Sequence, residues 1–317
     1  MMRISVWYQG VEESRLRLVT QLGAECVDFG SGAAFASVKR QGFPDLDEVL
    51  GIKRALRAWG LEINRVTLPD LTEAYLAGGP GGERELEAAC RALQVYGEAG
   101  VPIARQRFAG DATPGEHGAY RAVQRGGIVS RGEYRHQSAA PEPSTAQIDA
   151  WWERFVAAYE RLVPIAEDYG IRLAVHPSDT PYAGTPFDGL GMHRVLDAFP
   201  SRSVGLLYCV GTRAEAGGSP LVLEEINSYG RKGRIFAVHF RNVRGNLATA
   251  GGFEETLLDD GDMNMFRILL ELRRIGYEGC LNPDHIPALE GEGPGGSVGL
   301  GYSVGYIKAL LAALAVS

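Results

Sequence analysis

Several features that mark particular classes of protein are missing from this 317-residue sequence. Basic residues are not in excess, since 32 Lys and Arg face 39 Asp and Glu for a net charge of −7, whereas a nucleic-acid-binding protein normally carries a basic patch. The four cysteines are scattered without a CxxC pair, and no secretory leader pattern follows the first residues. No apolar run is expected to approach the ~18 residues of a membrane span. We therefore expect a cytoplasmic protein that binds neither nucleic acid nor a membrane.

Glycine, in contrast, is abundant, with 42 residues, about 13% of the chain against a usual ~7%. Several glycines lie between the end of a predicted helix and the start of the next predicted strand. A glycine there adopts the left-handed conformation that ends a helix and turns the chain back toward a sheet. The positions are Gly23, Gly60, Gly100, Gly170, Gly233 and Gly276. They divide the chain into repeated strand–helix units.

Short apolar runs alternate with longer amphipathic runs, which predicts eight such units. The predicted strands are Arg3–Tyr8, Cys26–Gly30, Glu62–Leu68, Pro102–Phe108, Ile171–Pro177, Val204–Val210, Ile235–Asn242 and Gly279–Asp284. The predicted helices are Ser14–Leu22, Leu46–Trp59, Gly82–Ala99, Thr145–Tyr169, Phe187–Ala198, Leu221–Tyr229, Met263–Ile275 and Ser303–Ala315. Apolar strands suit a parallel sheet buried on both faces, and eight units can close into a (β/α)8 TIM barrel. A doubly wound open sheet is the alternative, but no GxGxxG follows the first strand.

We therefore predict the α/β class and one TIM-barrel domain over residues 1–317, although the length also admits two domains. The segment 110–144 interrupts the alternation, with no clean helical or strand period. Because it follows the fourth strand, it lies at the C-terminal face, where barrel enzymes have their active sites. It fits either a lid that closes over an anionic substrate or a solvated loop. Its basic residues are His117, Arg121, Arg125, Arg131, Arg135 and His136.

Side chains that bind metals occur near the ends of the last four predicted strands. They are His176, Cys209, His239 and Asp284, separated by 33, 30 and 45 residues, about one strand–helix unit each. Because strand ends converge at one face of a barrel, these four can meet. They have the right count for one divalent ion with positions left for substrate or water, and they suit Zn, Fe, Co or Mn. Taken singly, a buried Cys or a strand-end His is more often structural, and Cys209 beside a His is also compatible with a thiol nucleophile.

Further polar residues follow the same strands. Arg241 shares the alternation phase of the histidine two residues before it, which predicts that it binds a substrate carboxylate with Asn242 beside it. Asp179 and Glu255 lie in the loops after the fifth and seventh strands and are candidates for substrate or ligand contacts. His285 is the strongest candidate for a general acid or base, because imidazole titrates near neutrality. Each has a structural alternative as a solvated loop residue or a packing histidine.

Five short motifs resemble those of the mannonate dehydratases. They are HPSDTP at 176–181, GLLYCVGT at 205–212, VHFRNV at 238–243, FEE…DGDMNM at 253–265 and NPDH at 282–285. The opening RISVWYQGVEESRL and the run PGGERELEAACRAL at 80–93 are also similar to that family. Similarity therefore touches most of the chain, and the ligand motifs, in order and at barrel spacing, are its specific part.

The resemblance implies a (β/α)8 barrel that holds Mn²⁺, or a similar divalent ion such as Fe²⁺, Co²⁺ or Zn²⁺, through His176, Cys209, His239 and Asp284. The implied reaction is the dehydration of D-mannonate to 2-keto-3-deoxygluconate. His285 matches a family catalytic histidine that follows the Asp ligand. The family also leads us to expect a homo-oligomer.

The sequence departs from the family near the expected substrate. The family's second catalytic group is a tyrosine after the eighth strand, but residues 286–301 contain none, and the nearest, Tyr302, lies toward the last helix. Ser178 and Thr180 replace Asp and Pro of the first motif, whereas all four ligands survive. We expect a metal-dependent dehydratase of mannonate or a related sugar acid. The alternatives are a xylose-isomerase-like sugar isomerase or epimerase, and a non-catalytic sugar-acid-binding barrel.

Overall fold

Eight strands close into a parallel barrel in the computed structural model, which describes residues 1–109, 117–135, 143–179, 184–292 and 296–316. The strands in these ranges are β1 (Arg3–Trp7), β2 (Cys26–Asp28), β3 (Glu62–Thr67), β4 (Ile103–Arg105), β5 (His117–Val123), β6 (Val129–Arg135), β7 (Arg172–Val175), β8 (Val204–Cys209), β9 (Ile235–His239), β10 (Asn242–Asn246), β11 (Gly252–Thr256) and β12 (Cys280–Asn282). Around the barrel the order is β1–β2–β3–β4–β7–β8–β9–β12, and β12 pairs with β1. The predicted α/β TIM-barrel fold is confirmed.

Helices follow the barrel strands along the chain. They are α1 (Glu13–Leu22), α2 (Ala36–Gln41), α3 (Leu46–Arg57), α4 (Glu73–Leu76), α5 (Pro80–Glu98), α6 (Thr145–Asp168), α7 (Gly189–Ala198), α8 (Val210–Arg231), α9 (Met265–Arg274) and α10 (Ser297–Ala315). The start of α6 is held by a capping box between Ser144 and Gln147, which satisfies amides that a helix start leaves unpaired. The six glycines predicted to end helices all have positive φ angles, from 65 to 93°.

The barrel strands are buried from both sides, which is why most of their residues are apolar, although Asp28, Asn64 and Arg65 are buried within them. Every residue of β8 and β9 is buried. One small core cluster joins four neighbouring strands: Ile103, Ala174, Leu207, Phe236 and Ala237. A much larger cluster fills the space between the barrel and its helices. Polar side chains are therefore placed at the strand ends.

A second, four-stranded sheet of order β10–β11–β6–β5 stands beside the barrel and was not predicted. The segment 110–144, interpreted from sequence as lacking regular structure, contains the hairpin β5–β6, which pairs with the hairpin β10–β11. The predicted strand Ile235–Asn242 is divided, because β9 ends at His239 and β10 begins at Asn242. The pairing joins segments more than 100 residues apart, so no local period reveals it. Residues 110–116 and 136–142 of this segment, interpreted as either a lid or a solvated loop, lie outside the described residues.

Helices α8 and α10 both begin earlier than predicted, and α2 and α4 were not predicted. α8 begins at Val210, directly after β8, rather than at Leu221, and the non-helical Gly218 (φ 72°) marks a kink that obscures its period. α10 is long and apolar enough to cross a membrane by length and composition. The expectation that no apolar run approaches that length was therefore wrong. A core helix of a globular protein passes the same test, and α10 packs against α1 and α9.

Candidate metal centre and active site

Three of the four predicted ligands meet at the C-terminal ends of neighbouring strands. His176 follows β7, while Cys209 and His239 end β8 and β9 and are register partners. Their ligand atoms all lie within 4.8 Å of one another, and His176 Nε2 is 3.2 Å from His239 Nδ1. Parallel strands in register bring their last residues to one level of a barrel, which explains the convergence.

Asp284 adjoins this group from β12. Its Oδ2 lies 3.2 Å from His239 Nδ1 and 3.9 Å from Arg241 Nε. A carboxylate beside two imidazoles and a thiolate completes a donor set that suits a divalent transition metal. His239 therefore contacts both His176 and Asp284, two of the residues that the sequence spacing predicted to lie together.

The protonation of two of the three candidate ligands, Cys209 and His176, already fits a metal. Burial opposes ionisation of Cys209, but Arg241 and hydrogen bonds with His176 and His239 outweigh it and hold the pKa of the thiol well below its usual value. Burial, with Arg105, lowers the pKa of His176 to about 4, so its imidazole is neutral. A thiolate and a neutral imidazole are the forms that coordinate metal ions. Burial opposes the charge on His239, but Asp284 and Cys209 raise its pKa to about 9, so metal binding there would release a proton.

Arg241 occupies a buried position behind the ligands and is 3% exposed. One NH2 group donates to Thr212 Oγ1 at 3.0 Å and to Asp179 Oδ1 at 3.3 Å, and the other donates to Glu215. Thr212 in turn donates its hydroxyl to Asp179 at 2.6 Å and its amide to Cys209 Sγ at 3.4 Å. The guanidinium therefore links the acidic residues to the thiolate ligand through Thr212.

Arg131 reaches this group from β6, in the segment 110–144. One nitrogen lies 2.9 Å from both Asp179 Oδ2 and Glu255 Oε1, and the other lies 3.0 Å from Glu133. Its guanidinium also stands 5.7 Å above the ring of Phe253. The second sheet thus delivers a cation to the strand ends of the barrel.

His285 lies beside the ligand Asp284 in an unusual backbone conformation, with φ at +50°. Its Nδ1 lies 2.5 Å from Glu255 Oε1, and its Nε2 lies 3.5 Å from Asp284 Oδ2. Burial would lower the pKa of His285, but Asp284 and the hydrogen bond with Glu255 outweigh it and raise the pKa. The side chain is 41% exposed, so it can meet a substrate.

Asn242 and Tyr302 both bond to parts of the protein outside the group of candidate ligands. Asn242 is buried, and its amide group bonds only to main-chain atoms of Val243, Leu258 and Met263. It therefore ties β10 to the loop before α9. Tyr302 lies in α10, where its hydroxyl accepts from Arg125 at 3.4 Å.

An open cavity of about 450 Å³ borders Asp284 and His285. Asp284 and His285 form one part of its wall, together with Asn282 and Pro283. The rest is formed by Trp7, Arg15, Ile286, Ala288, Glu292, Gly296 and Leu300. The space is large enough for a six-carbon sugar acid and reaches the acid–base candidate.

Glu215 and Thr212 were missed from the sequence. Both lie in the first turns of α8, and Glu215 is fully buried against Arg241. Burial raises the pKa of the Glu215 carboxyl well above its usual value, against the opposing effect of Arg241. In the sequence, Thr212 and Glu215 follow Cys209 by three and six residues. This spacing places them on one helix face, but only if the helix starts at that cysteine.

Comparison with known proteins points to one family. The family model described as D-mannonate dehydratase (UxuA) matches residues 143–317, more than half of the chain. Mannonate dehydratase 2 of Halalkalibacterium halodurans is 24% identical, over 92% of each protein. The mannonate dehydratase of Streptococcus equi subsp. zooepidemicus is 28% identical, over 76% of this chain and 74% of that protein.

Solved structures share the fold. Mannonate dehydratase from Streptococcus suis serotype 2 superposes with a TM-score of 0.79 at 23% identity, covering 98% of this chain and 93% of that one. A xylose isomerase domain protein from Planctomyces limnophilus gives 0.66 at 12% identity, covering 100% and 99%. The candidate ligands His176, Cys209 and His239 lie inside the stretch that the family model matches. The chain is thus a member of the D-mannonate dehydratase family, with the xylose-isomerase-like TIM barrels as its wider structural relatives.

Proposed function

We propose that this chain is a metal-dependent dehydratase that converts D-mannonate, or a closely related sugar acid, into a 2-keto-3-deoxy acid. The observation that carries the proposal is the meeting of His176, Cys209 and His239 within 4.8 Å in a chain of this family. We further propose Mn²⁺ as the ion, a cytoplasmic location and a homo-oligomeric assembly, as expected from the sequence.

The ligands would be His176, Cys209, His239 and Asp284. The thiolate form of Cys209 and the neutral imidazole of His176 support this assignment. When bound, the ion supplies a Lewis acid that polarises the substrate carboxylate and acidifies the proton on the adjacent carbon.

His285 would move the proton. Glu255 at Nδ1 orients the ring, which leaves Nε2 as the atom that exchanges a proton with the substrate. Nε2 takes the proton from the carbon next to the carboxylate, and the electron pair of that C–H bond forms the double bond as the β-hydroxyl leaves. The hydroxyl departs as water with the proton that Nε2 has taken up, and the remaining enol becomes the 2-keto-3-deoxy acid by transfer of its O–H proton to carbon 3.

The charged wall around these residues would hold the reacting end of the substrate. Arg241, Asp179 and Glu255 border the ligands and His285, so we propose them as contacts for substrate oxygens or as residues that position the ligands. We assign Asn242 a supporting role, because its amide already bonds to the main chain on both sides.

The activity test uses purified, manganese-loaded protein and a panel of aldonates, with 2-keto-3-deoxy acid as the measured product. We expect product from mannonate or a close stereoisomer. Absence of product from every aldonate would refute the proposed function. Solvent deuterium in recovered sugar acid without loss of water would indicate an epimerase instead.

The ligand test compares Cys209→Ala with Cys90→Ala, another buried cysteine that lies within α5. We expect Cys209→Ala to lose most of the bound metal, measured by mass spectrometry, and Cys90→Ala to keep it. Equal metal contents would refute the ligand assignment. His285→Asn is expected to keep the metal and lose turnover, which separates the acid–base role from the ligand role.

A further inference from the structure

The cavity beside the proposed active site is also lined by the first barrel strand and the first helix. Asp284 and His285 contribute to its wall, and β1 and α1 contribute Trp7 and Arg15. The remaining wall, from the loop after β12 and the start of α10, is largely apolar. A ligand that fills this cavity from Asp284 therefore contacts β1 and α1 as well.

Arg15 differs from Arg131 and Arg241, the two arginines beside the candidate metal ligands. Arg131 and Arg241 both contact protein carboxylates within 3.3 Å. Among the residues that the structure describes, no carboxylate pairs with Arg15, which is half-buried on α1. The other charged side chain at this part of the wall, Glu292, accepts hydrogen bonds from the amides of Leu289 and Gly299. Arg15 therefore supplies the uncommitted positive charge of the cavity.

Trp7 gives the same part of the cavity an aromatic surface. It is 54% exposed, although it is the last residue of a barrel strand whose neighbours are buried. An exposed indole offers an apolar face and one N–H donor, a combination that packs well against the C–H groups of a sugar chain. An aromatic face beside a free guanidinium is suited to a carbohydrate that carries an anion.

Building on the proposed function, we propose that Arg15 binds a second anionic group at the end of the substrate away from the metal, with Trp7 beneath the carbon chain. An aldonate has one carboxylate, which the reacting end requires, and its far end is an uncharged hydroxymethyl group. A half-buried guanidinium gains most from a bidentate pairing with a carboxylate or phosphate. The favoured substrates are then doubly anionic sugar acids, either aldarates or aldonates phosphorylated at the far carbon.

The test compares three substrates of one stereochemistry with manganese-loaded wild type, Arg15→Gln and Arg17→Gln. The substrates are the aldonate, the corresponding aldarate and the 6-phosphoaldonate. Arg17 is the matched control, because it lies on the same helix but is exposed and pairs with Glu13. We expect Arg15→Gln to lower kcat/KM for one of the two dianions by roughly 10- to 100-fold, the value of a charged hydrogen-bonded pair. The aldonate should lose less than that dianion, because its far end carries no anion, and Arg17→Gln should change nothing. The dianion that responds identifies the anion as a carboxylate or a phosphate.

Two results would overturn the assignment. One is an unchanged kcat/KM for both dianions in Arg15→Gln. The other is an equal loss for the aldonate and the dianions, which would place Arg15 at the reacting end. If no compound is turned over, the dehydratase proposal fails on its own, and calorimetric binding of the same compounds to the metal-loaded proteins decides about Arg15. Binding of the dianions that is no tighter than that of the aldonate, or that is equal in wild type and Arg15→Gln, would then refute it.

Discussion

The buried ion pair of Arg213 and Glu225 permits a quantitative test of how the start of α8 is held. The pair joins the two halves of α8 across the kink at Gly218. Arg213 Nε donates to Glu225 Oε2 at 2.8 Å and its NH2 group to Oε1 at 2.7 Å, and both side chains are about 5% exposed. Tyr208 adds a hydroxyl donor to the same carboxylate at 3.0 Å. The first half of α8 carries Thr212, so this pair supports the amide that bonds to Cys209.

Replacing Arg213 by Met leaves the Glu225 carboxylate buried with only the tyrosine as partner. Removing one member of a buried pair costs about 3–5 kcal/mol, because the remaining charge has lost its compensation. With an unfolding entropy of about 2.1 cal/mol/K per residue, the expected fall in Tm is roughly 5–8 °C at this chain length. The double variant Arg213→Met/Glu225→Gln should recover much of the loss, since no unpaired charge then remains.

The assay is equilibrium urea unfolding of the metal-loaded proteins, supported by thermal scans at one rate. Arg57→Met is the control, because Arg57 forms an exposed pair with Glu62 at 2.9 Å and should cost less than about 1 kcal/mol. A loss for Arg213→Met that is no larger than that of the control would refute the reasoning. So would a double variant that is less stable than the single one.

Three further predictions concern the close approach at Gly211, the hairpin and the acid side of the stability profile. In Gly211→Ala the new Cβ would lie 2.4 Å from Arg241 Cγ, so we expect the guanidinium to be displaced. The unfolding free energy, measured in urea, should fall by about 1–3 kcal/mol. A variant as stable as wild type would contradict this. Arg125→Gln removes the half-exposed ion pair with Asp259. We expect faster amide hydrogen exchange in residues 117–135 with little change in Tm. Unchanged exchange in these residues would show that the pair does not hold the hairpin. Burial opposes ionisation of Glu48, but hydrogen bonds from a serine hydroxyl and two amides at the start of α2 lower its pKa below 4.5. The stability that ionised Glu48 contributes is therefore fully present above the usual pKa of a glutamate and is lost as the pH falls through the lowered pKa. The difference in urea midpoint between wild type and Glu48→Gln should close in acid. A difference that is independent of pH would argue against this role of Glu48.

The order of the barrel and the convergence of its polar strand ends could be read from the sequence. Buried parallel strands are short and apolar, and the glycines after the helices set the boundaries of each unit. Once eight units close, the barrel symmetry alone brings His176, Cys209 and His239 to one face. These features depend on local patterns, which a sequence displays directly.

The surroundings of the site were decided by tertiary contacts. Arg131 reaches Asp179 because the hairpin β5–β6 pairs with β11, and no pattern near residue 131 shows a partner that lies more than 100 residues later. Arg241 was expected to bind a substrate carboxylate, and its burial against Glu215 became visible only when α8 was found to start directly after Cys209.

The sequence by itself therefore determined the barrel and the residues that can serve as metal ligands, since both follow from periodicity and from the position of each side chain at a strand end. Only the tertiary structure decided which charges are already neutralised within the protein and which remain for a ligand. Arg15 and Arg241 carry the same guanidinium, but one faces an open cavity and the other lies among buried carboxylates. The reason is physical: the free energy of a charge depends on its burial and its neighbours, and these are brought together by packing between distant segments.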